Sequence, residues 1–351
     1  MTAPSIRSIG TATPRERLAR EAWLAFADRI APAEVDRGLL ARLAERSEIE
    51  SRGAAAACEP PFYAGRDAPG TAARMQLWSR AARAMAEDAC RDALAAASAE
   101  ASSVTHLVTA SCTGFESPGI DAYLIERLGL SRAVARTNVG FMGCHAAVNA
   151  LAVARAAAVA DPRARVLVCC AEVCSAHFHH SARIDQLIAN TLFGDGAAAV
   201  VVDGAVHAPT TAPLLAATHS LHLADSAHEM AWAIGDHGFE MTLGARVPDI
   251  LRSKVGAWVA AALAQHAFAI ADVGAWAIHP GGPRVIESVL DSLGLPAAAG
   301  DESRAILRAH GNMSSATILF ILDRLMRADV PRPWVGLAFG PGLVGEMVVV
   351  R

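Results

Sequence analysis

Short apolar runs and helical patterns take turns along this 351-residue chain, and that alternation constrains its fold more than any other feature. Residues 106–111, 166–173, 197–202, 275–278, 335–339 and 344–350 read as strands, and residues 72–97, 145–158, 248–265 and 313–326 as helices. A chain patterned this way builds layers of helix on sheet. Residues 203–217, rich in Ala, Pro and Thr, form the loosest stretch. The expected boundary lies there, between an N-terminal half, 1–205, and a C-terminal half, 206–351. An internal echo supports the division. Phe193-Gly194-Asp195-Gly196 leads into Val200-Val201-Val202, and Phe339-Gly340-Pro341-Gly342 leads into Val348-Val349-Val350. Gly143-Cys144 opens the 145–158 pattern, and Gly311-Asn312 opens the 313–326 pattern. Both helices are small or apolar nearly all round, as expected of buried central helices.

Composition removes several functions. With 53% hydrophobic and 19% charged residues, the chain has too much core to be disordered. A net charge of −4 leaves no basic excess to offset phosphates, and the aromatics, 5% of the chain, form no stacking platform; no nucleic-acid partner is expected. The uncharged stretch 255–271, interrupted by Gln265 and His266, is too short to span a bilayer, so no membrane role is expected. Residues 1–10 hold no apolar export core, and seven cysteines lack the spacing of a disulfide framework. These features predict a reduced, cytoplasmic protein.

Three residues offer chemistry. Cys144 follows a glycine at the start of a helical pattern, where unpaired N–H groups and the helix dipole favour a thiolate. A buried structural cysteine is the alternative. His279 ends a strand and precedes Pro280-Gly281-Gly282-Pro283, a tight turn of the kind that carries catalytic groups in α/β folds. It suits a base or an ion-pair partner for a nucleophile, or a purely structural place in the loop. Asn312 suits either a helix cap or a donor to a carbonyl or enolate oxygen.

Five motifs stand in order: Gly140-Phe141-Met142-Gly143-Cys144, Leu192 through Ala199, His279-Pro280-Gly281-Gly282-Pro283, Gly311-Asn312-Met313-Ser314-Ser315-Ala316, and Phe339-Gly340-Pro341-Gly342. Together they resemble the type III polyketide synthases, the chalcone synthase-like branch of the thiolase superfamily, from about residue 40 to the C-terminus. The Gly-Phe-Met-Gly-Cys-His run is most similar to bacterial members. The resemblance implies an α/β, five-layered αβαβα thiolase-like fold, a homodimer, and a catalytic set of Cys144, His279 and Asn312. It implies an acyl-CoA starter loaded on Cys144, malonyl-CoA as extender, no cofactor beyond these coenzyme A thioesters, and no metal. Decarboxylative Claisen condensation and cyclisation would then give a pyrone or a resorcinol- or phloroglucinol-type product.

The same resemblance assigns further positions. Phe193 matches a gatekeeper aromatic, and Ser314 a cavity wall. Arg42, Arg46 and Arg284 fall where coenzyme A phosphates are held. Cys112, Cys174 and His177 take cavity positions that are mostly threonine in plant enzymes, Met241 replaces a cavity phenylalanine, and Ser117 replaces a methionine that crosses the plant dimer interface. A flexible Met241 is expected to open a side pocket for aliphatic starters, with His177 bonding a polyketide carbonyl. The His177-Phe178-His179-His180 run has no second ligand pair at zinc spacing and reads as a cavity loop. Two alternatives remain: a β-ketoacyl-acyl-carrier-protein synthase III-like condensing enzyme, which shares the Cys-His-Asn chemistry, and a non-catalytic dimerising paralogue.

Overall fold

The computed structural model describes residues 3–58, 62–63, 68–209 and 211–351. The strands are β1 (Ser5–Ala12), β2 (Arg17–Ala19), β3 (Ser51–Gly53), β4 (His106–Ser111), β5 (Ala135–Gly140), β6 (Arg165–Val173), β7 (Asp195–Asp203), β8 (Leu215–His222), β9 (Met230–Gly235), β10 (Gly238–Leu243), β11 (Ala275–Ile278), β12 (Trp334–Gly340) and β13 (Val344–Val350). The helices are α1 (Arg20–Ile30), α2 (Arg37–Arg46), α3 (Ala55–Cys58), α4 (Thr71–Ala97), α5 (Ile120–Leu128), α6 (Ala146–Ala160), α7 (Ile184–Leu192), α8 (Val247–Ala264), α9 (Pro283–Leu293), α10 (Asp301–His310) and α11 (Thr317–Arg327).

Two sheets carry the fold. The first has the order β1-β7-β6-β4-β5, and the second β11-β12-β13-β8. They share a topology. In the first, β4 runs parallel to β6, which is antiparallel to β7, which is antiparallel to β1. In the second, β11, β12, β13 and β8 repeat those relations in that order. Side-chain alternation then dictates the layers. Along β6, Val166, Val168 and Cys170 face a core shared with α6 and α11, while Leu167, Cys169 and Ala171 face α4. Along β13, Val348 and Val350 join the same central core, while Met347 and Val349 pack with α8 and α9. The result is helix, sheet, helix pair, sheet, helix: the five-layered thiolase-like arrangement. Strands buried on both faces explain why the Val-rich runs show little polar alternation.

The central helices start later than their sequence pattern predicts. Gly143–His145 and Ser314–Ala316 form 3₁₀ turns, and α6 and α11 begin after them. Gly143 sits at φ +72°, and a Cβ there would lie 2.3 Å from Pro341 Cδ, so the turn closes only with glycine. The stretch Gly143–Ala160 is long and apolar enough to cross a membrane by length and composition, a feature that the 255–271 comparison overlooks. Here it is the core helix between two sheets.

Candidate active site

The 3₁₀ turns that open α6 and α11 touch each other, which brings Cys144 and Asn312 to the same end of the central layer. A cavity of about 470 Å³ reaches this end, with Cys144, Phe193, Met241, His279, Asn312 and Phe339 on its wall. Cys144 is 7% exposed, and His279 and Asn312 are each 1% exposed. Arg46 and Arg284, both exposed, also line it.

Each side chain is held by its backbone. The Asn312 N–H donates to the Leu192 carbonyl at 2.9 Å, and the Gly194 N–H donates to the Asn312 carbonyl at 2.9 Å. Asn312 Oδ1 accepts from the Ser314 N–H at 2.8 Å, so it does cap the turn into α11. Capping by Oδ1 leaves the amide N–H₂ available on the Cys144 side, and the Asn312 and Ser314 side chains both pull the Cys144 thiol pKa down. The two roles open in the sequence, cap and donor, thus belong to opposite ends of one amide. His279 follows β11, with its N–H donating to Leu337 O at 2.8 Å. Among the described residues neither of its ring nitrogens has a partner, although both are buried at the cavity wall. A buried imidazole with two unused nitrogens is prepared for a substrate proton or oxygen.

The electrostatics correct one expectation. Burial pushes the Cys144 thiol up to about 11, against the pull of the Ser314 and Asn312 donors. Burial, with His145 nearby, pushes His279 down to about 3. Desolvation outweighs the turn's dipole, so a lone thiolate is not favoured in the empty site. A thiolate on Cys144 and an imidazolium on His279 would offset each other's desolvation penalty, and both side chains line the same cavity.

Comparisons with known proteins fit this geometry. The N-terminal domain of the chalcone and stilbene synthases matches residues 3–206, and their C-terminal domain matches residues 214–351. The chain belongs to the chalcone and stilbene synthase family. The match begins well before residue 40, where the motifs had placed its start. The chain is 35% identical to a 1,3,6,8-tetrahydroxynaphthalene synthase of Streptomyces peucetius subsp. caesius, covering 99% of this chain and 93% of that one. It is 32% identical to the alpha-pyrone synthesis polyketide synthase-like Pks18 of Mycobacterium tuberculosis, covering 98% and 90%. The crystal structure of PKS-I from the brown alga Ectocarpus siliculosus superposes with a TM-score of 0.94 at 28% identity, covering 100% and 99%. As a type III polyketide synthase, the protein is an acyltransferase-type condensing enzyme that uses acyl-CoA and malonyl-CoA without an additional cofactor.

Within this polyketide synthase, several expected site residues stand elsewhere. Arg42 pairs with Asp36 at 3.1 Å and is absent from the described cavity wall. His177 is not free to bond a substrate: its Nε2 meets the Thr113 carbonyl at 2.5 Å and its Nδ1 accepts from the Phe239 N–H at 3.0 Å. It stacks on Phe239 at 4.4 Å as core structure. His179 Nε2 meets the Phe239 carbonyl at 2.8 Å, and among the described residues no group of three or more His, Cys, Asp or Glu is arranged to hold a metal ion.

Cys112, Cys174, Met241 and Ser314 do meet, around a second space beside Cys144 of only about 20 Å³. Trp232 lines it. It pairs directly across the β9–β10 hairpin with Met241 and donates its Nε1–H to the Cys112 carbonyl at 2.9 Å. Beside Met241 this space is small, and the indole forms part of its wall.

Glu172 also went unread. It is fully buried on β6 and accepts from the Thr113 hydroxyl at 2.6 Å, the Thr113 N–H at 3.1 Å, the Ser111 hydroxyl at 3.2 Å, and the Ser315 hydroxyl. Burial raises its pKa against those donors. It holds the floor under Cys112, whose sulfur lies 3.0 Å from Ser314 Oγ. A lone acid within the apolar run 166–173 was the readable signal.

Proposed function

We propose that Cys144, His279 and Asn312 carry out decarboxylative condensation on the wall of the 470 Å³ cavity. The observation that carries this reading is the meeting of Cys144, His279 and Asn312 on one cavity wall, where among the described residues neither His279 ring nitrogen has a partner. His279 takes the thiol proton as Sγ attacks the starter thioester. The C–S bond to coenzyme A breaks, and the imidazolium returns the proton to the leaving thiolate. Once Sγ is acylated it accepts hydrogen bonds poorly, so the Asn312 amide is released. Malonyl-CoA then loses CO₂, and the enolate oxygen accepts from Asn312 and His279. The enolate carbon attacks the Cys144 thioester, a C–C bond forms, and the C–S bond breaks.

The halves 1–205 and 206–351 divide this labour, the first supplying Cys144 and the second His279 and Asn312. Arg46 and Arg284 suit the coenzyme A phosphates, and Phe193 the gatekeeper position between that arm and the interior. Because the inner space that Trp232 lines is small, the favoured starter is small, of acetyl or malonyl size, and the growing chain occupies the larger cavity before closing to a pyrone or resorcinol-type ring. A homodimer is part of this reading. β5 is an edge strand with mostly exposed residues, and Phe115, Phe141 and Met142 beside it are 56%, 50% and 42% exposed. A second copy is the partner that suits an unpaired edge beside apolar side chains. The six described cysteines are free and buried, in keeping with a cytoplasmic enzyme.

Intact-protein mass spectrometry with a panel of acyl-CoAs tests the core of the proposal. One acyl adduct should map to Cys144 and vanish in Cys144→Ala, and malonyl-CoA should release CO₂. Acylation elsewhere, or no turnover with any coenzyme A or carrier-protein thioester, would overturn it.

A further inference from the structure

Arg52, on β3, is 1% exposed and has only neutral partners among the described residues. Its Nη1 donates to the carbonyls of Asn190 at 3.5 Å, Phe193 at 3.2 Å, and Thr191. Its guanidinium lies 4.9 Å from the Trp23 ring centroid, and Nε has no partner among the described residues. Burial pushes its pKa down to about 9, with Arg20 adding to the effect, so it remains a cation at neutral pH. A buried cation without a carboxylate is costly, and an apolar side chain would fill the same space with less penalty. What the cation alone does is gather the carbonyls where α7 ends, the negative pole of that helix.

Those carbonyls belong to the segment that leads into Phe193, and the segment is stitched to Asn312. The bonds from Asn312 N–H to Leu192 O and from Gly194 N–H to Asn312 O run side by side. Two glycines let both chains close on the Arg52 stem. A Cβ at Gly194 would lie 3.1 Å from Arg52 Cβ, and one at Gly311 would lie 3.6 Å from it and 3.0 Å from Leu192 O. Arg52 is thus a wedge between 192–194 and 311–312, standing behind the wall residues Thr191 and Phe193 without lining the main cavity itself.

We infer that Arg52 is a positioning residue, whose guanidinium clamp on the end of α7 sets Phe193 and Asn312 relative to Cys144. The inference rests on the role proposed above for Asn312. Loss of the clamp shifts Asn312 and spares Cys144, which is held by a separate turn. Misplacing a catalytic group by about 1 Å can cost on the order of 100-fold in rate. The enolate-forming step therefore suffers more than loading.

The test compares Arg52→Met and Arg52→Lys with the parent in three measurements: malonyl-CoA decarboxylation, acylation of Cys144 by acetyl-CoA, and hydrogen exchange by mass spectrometry. Arg52→Met should lose about tenfold or more in decarboxylation while acylation changes by less than about threefold, and Arg52→Lys should recover part of the loss. Peptides covering 190–196 and 310–314 should exchange faster in Arg52→Met, with β6 peptides unchanged. Equal loss of both steps, unchanged exchange in those two peptides, or loosening throughout the molecule would overturn the inference. If Arg52→Met does not fold, Arg52→Lys carries the same comparison, with partial loss expected and parental behaviour refuting. A parent that neither acylates nor decarboxylates would refute the function itself, while the exchange measurement still decides the clamp.

Discussion

Trp232→Ala is the perturbation whose outcome the structure fixes most closely. The indole lines a space of only about 20 Å³ beside Cys144, room for about one water molecule. Truncation to alanine opens on the order of 100 Å³, comparable with cavities that take up a small aromatic. Trp232 is only half-buried, so the stability cost falls below the roughly 3–5 kcal/mol of a fully buried tryptophan. The lost bond to the Cys112 carbonyl contributes about 1 kcal/mol of that cost. The new room is apolar, and each buried methylene is worth about 0.8 kcal/mol. A hexanoyl starter carries four more methylenes than acetyl, hence about 3 kcal/mol, or a ceiling near 200-fold in relative kcat/KM. The assay is kcat/KM for acetyl-CoA and hexanoyl-CoA with saturating malonyl-CoA, products identified by mass. The hexanoyl-to-acetyl ratio should rise at least about tenfold in Trp232→Ala. A ratio within twofold of the parent, in a variant that still folds, would show that the indole does not set starter length.

Three further outcomes follow from the same geometry. Asn312→Ala should slow malonyl-CoA decarboxylation by about 10²–10³-fold and acylation of Cys144 by much less; equal losses would leave Asn312 as a cap alone. For iodoacetamide labelling of Cys144, the midpoint should lie at lower pH in the parent than in His279→Ala, because without the imidazole only the burial that raises the thiol remains; superimposable curves would exclude the proton transfer. Phe141→Glu, at an exposed position beside β5, should convert a dimer to a monomer in light scattering with little change in Tm; an intact dimer would place the interface elsewhere.

The sequence legibility of this fold follows from where each signal lies. β4, β11 and β13 match the apolar runs at 106–111, 275–278 and 344–350 to the residue, because strands buried on both faces need continuous apolar side chains. β1 and β5 escape that pattern. Their sequences, Ser5–Ala12 and Ala135–Gly140, mix in Ser, Thr, Arg and Asn, and both are edge strands that tolerate polar residues. The hairpin of β9 and β10 exists through its cross-strand pairs, so Trp232 could not be set against Met241 before its register was known. Cys144, His279 and Asn312 were legible because glycine turns flank them. His177 was not, since its two ring nitrogens are consumed by backbone groups of Thr113 and Phe239, far away in sequence. Arg52 reads as one more surface arginine until the carbonyls around it are seen.

The two halves share a topology, yet the site does not belong to either. Cys144 lies in the first, while Asn312 and Ser314, which pull its pKa down, lie in the second. Glu172 on β6 accepts from Ser315, and Cys112 Sγ meets Ser314 Oγ at 3.0 Å. Arg52 and Phe193 hold the chain that pairs with Asn312. All of these contacts except that of Arg52 with Phe193 cross the boundary near residue 206, and most involve buried polar atoms that would be left unpaired if the halves moved apart. Each such orphaned group costs about 1–3 kcal/mol, which several together make prohibitive. Separating the halves is therefore a costly way to admit substrate. The cavity wall takes Met230, Met241 and Leu243 from the β9–β10 hairpin, the element that also bears Trp232. One wall is thus a two-stranded hairpin, while Asn312 and the turn before α11 are held by bonds drawn from the other half.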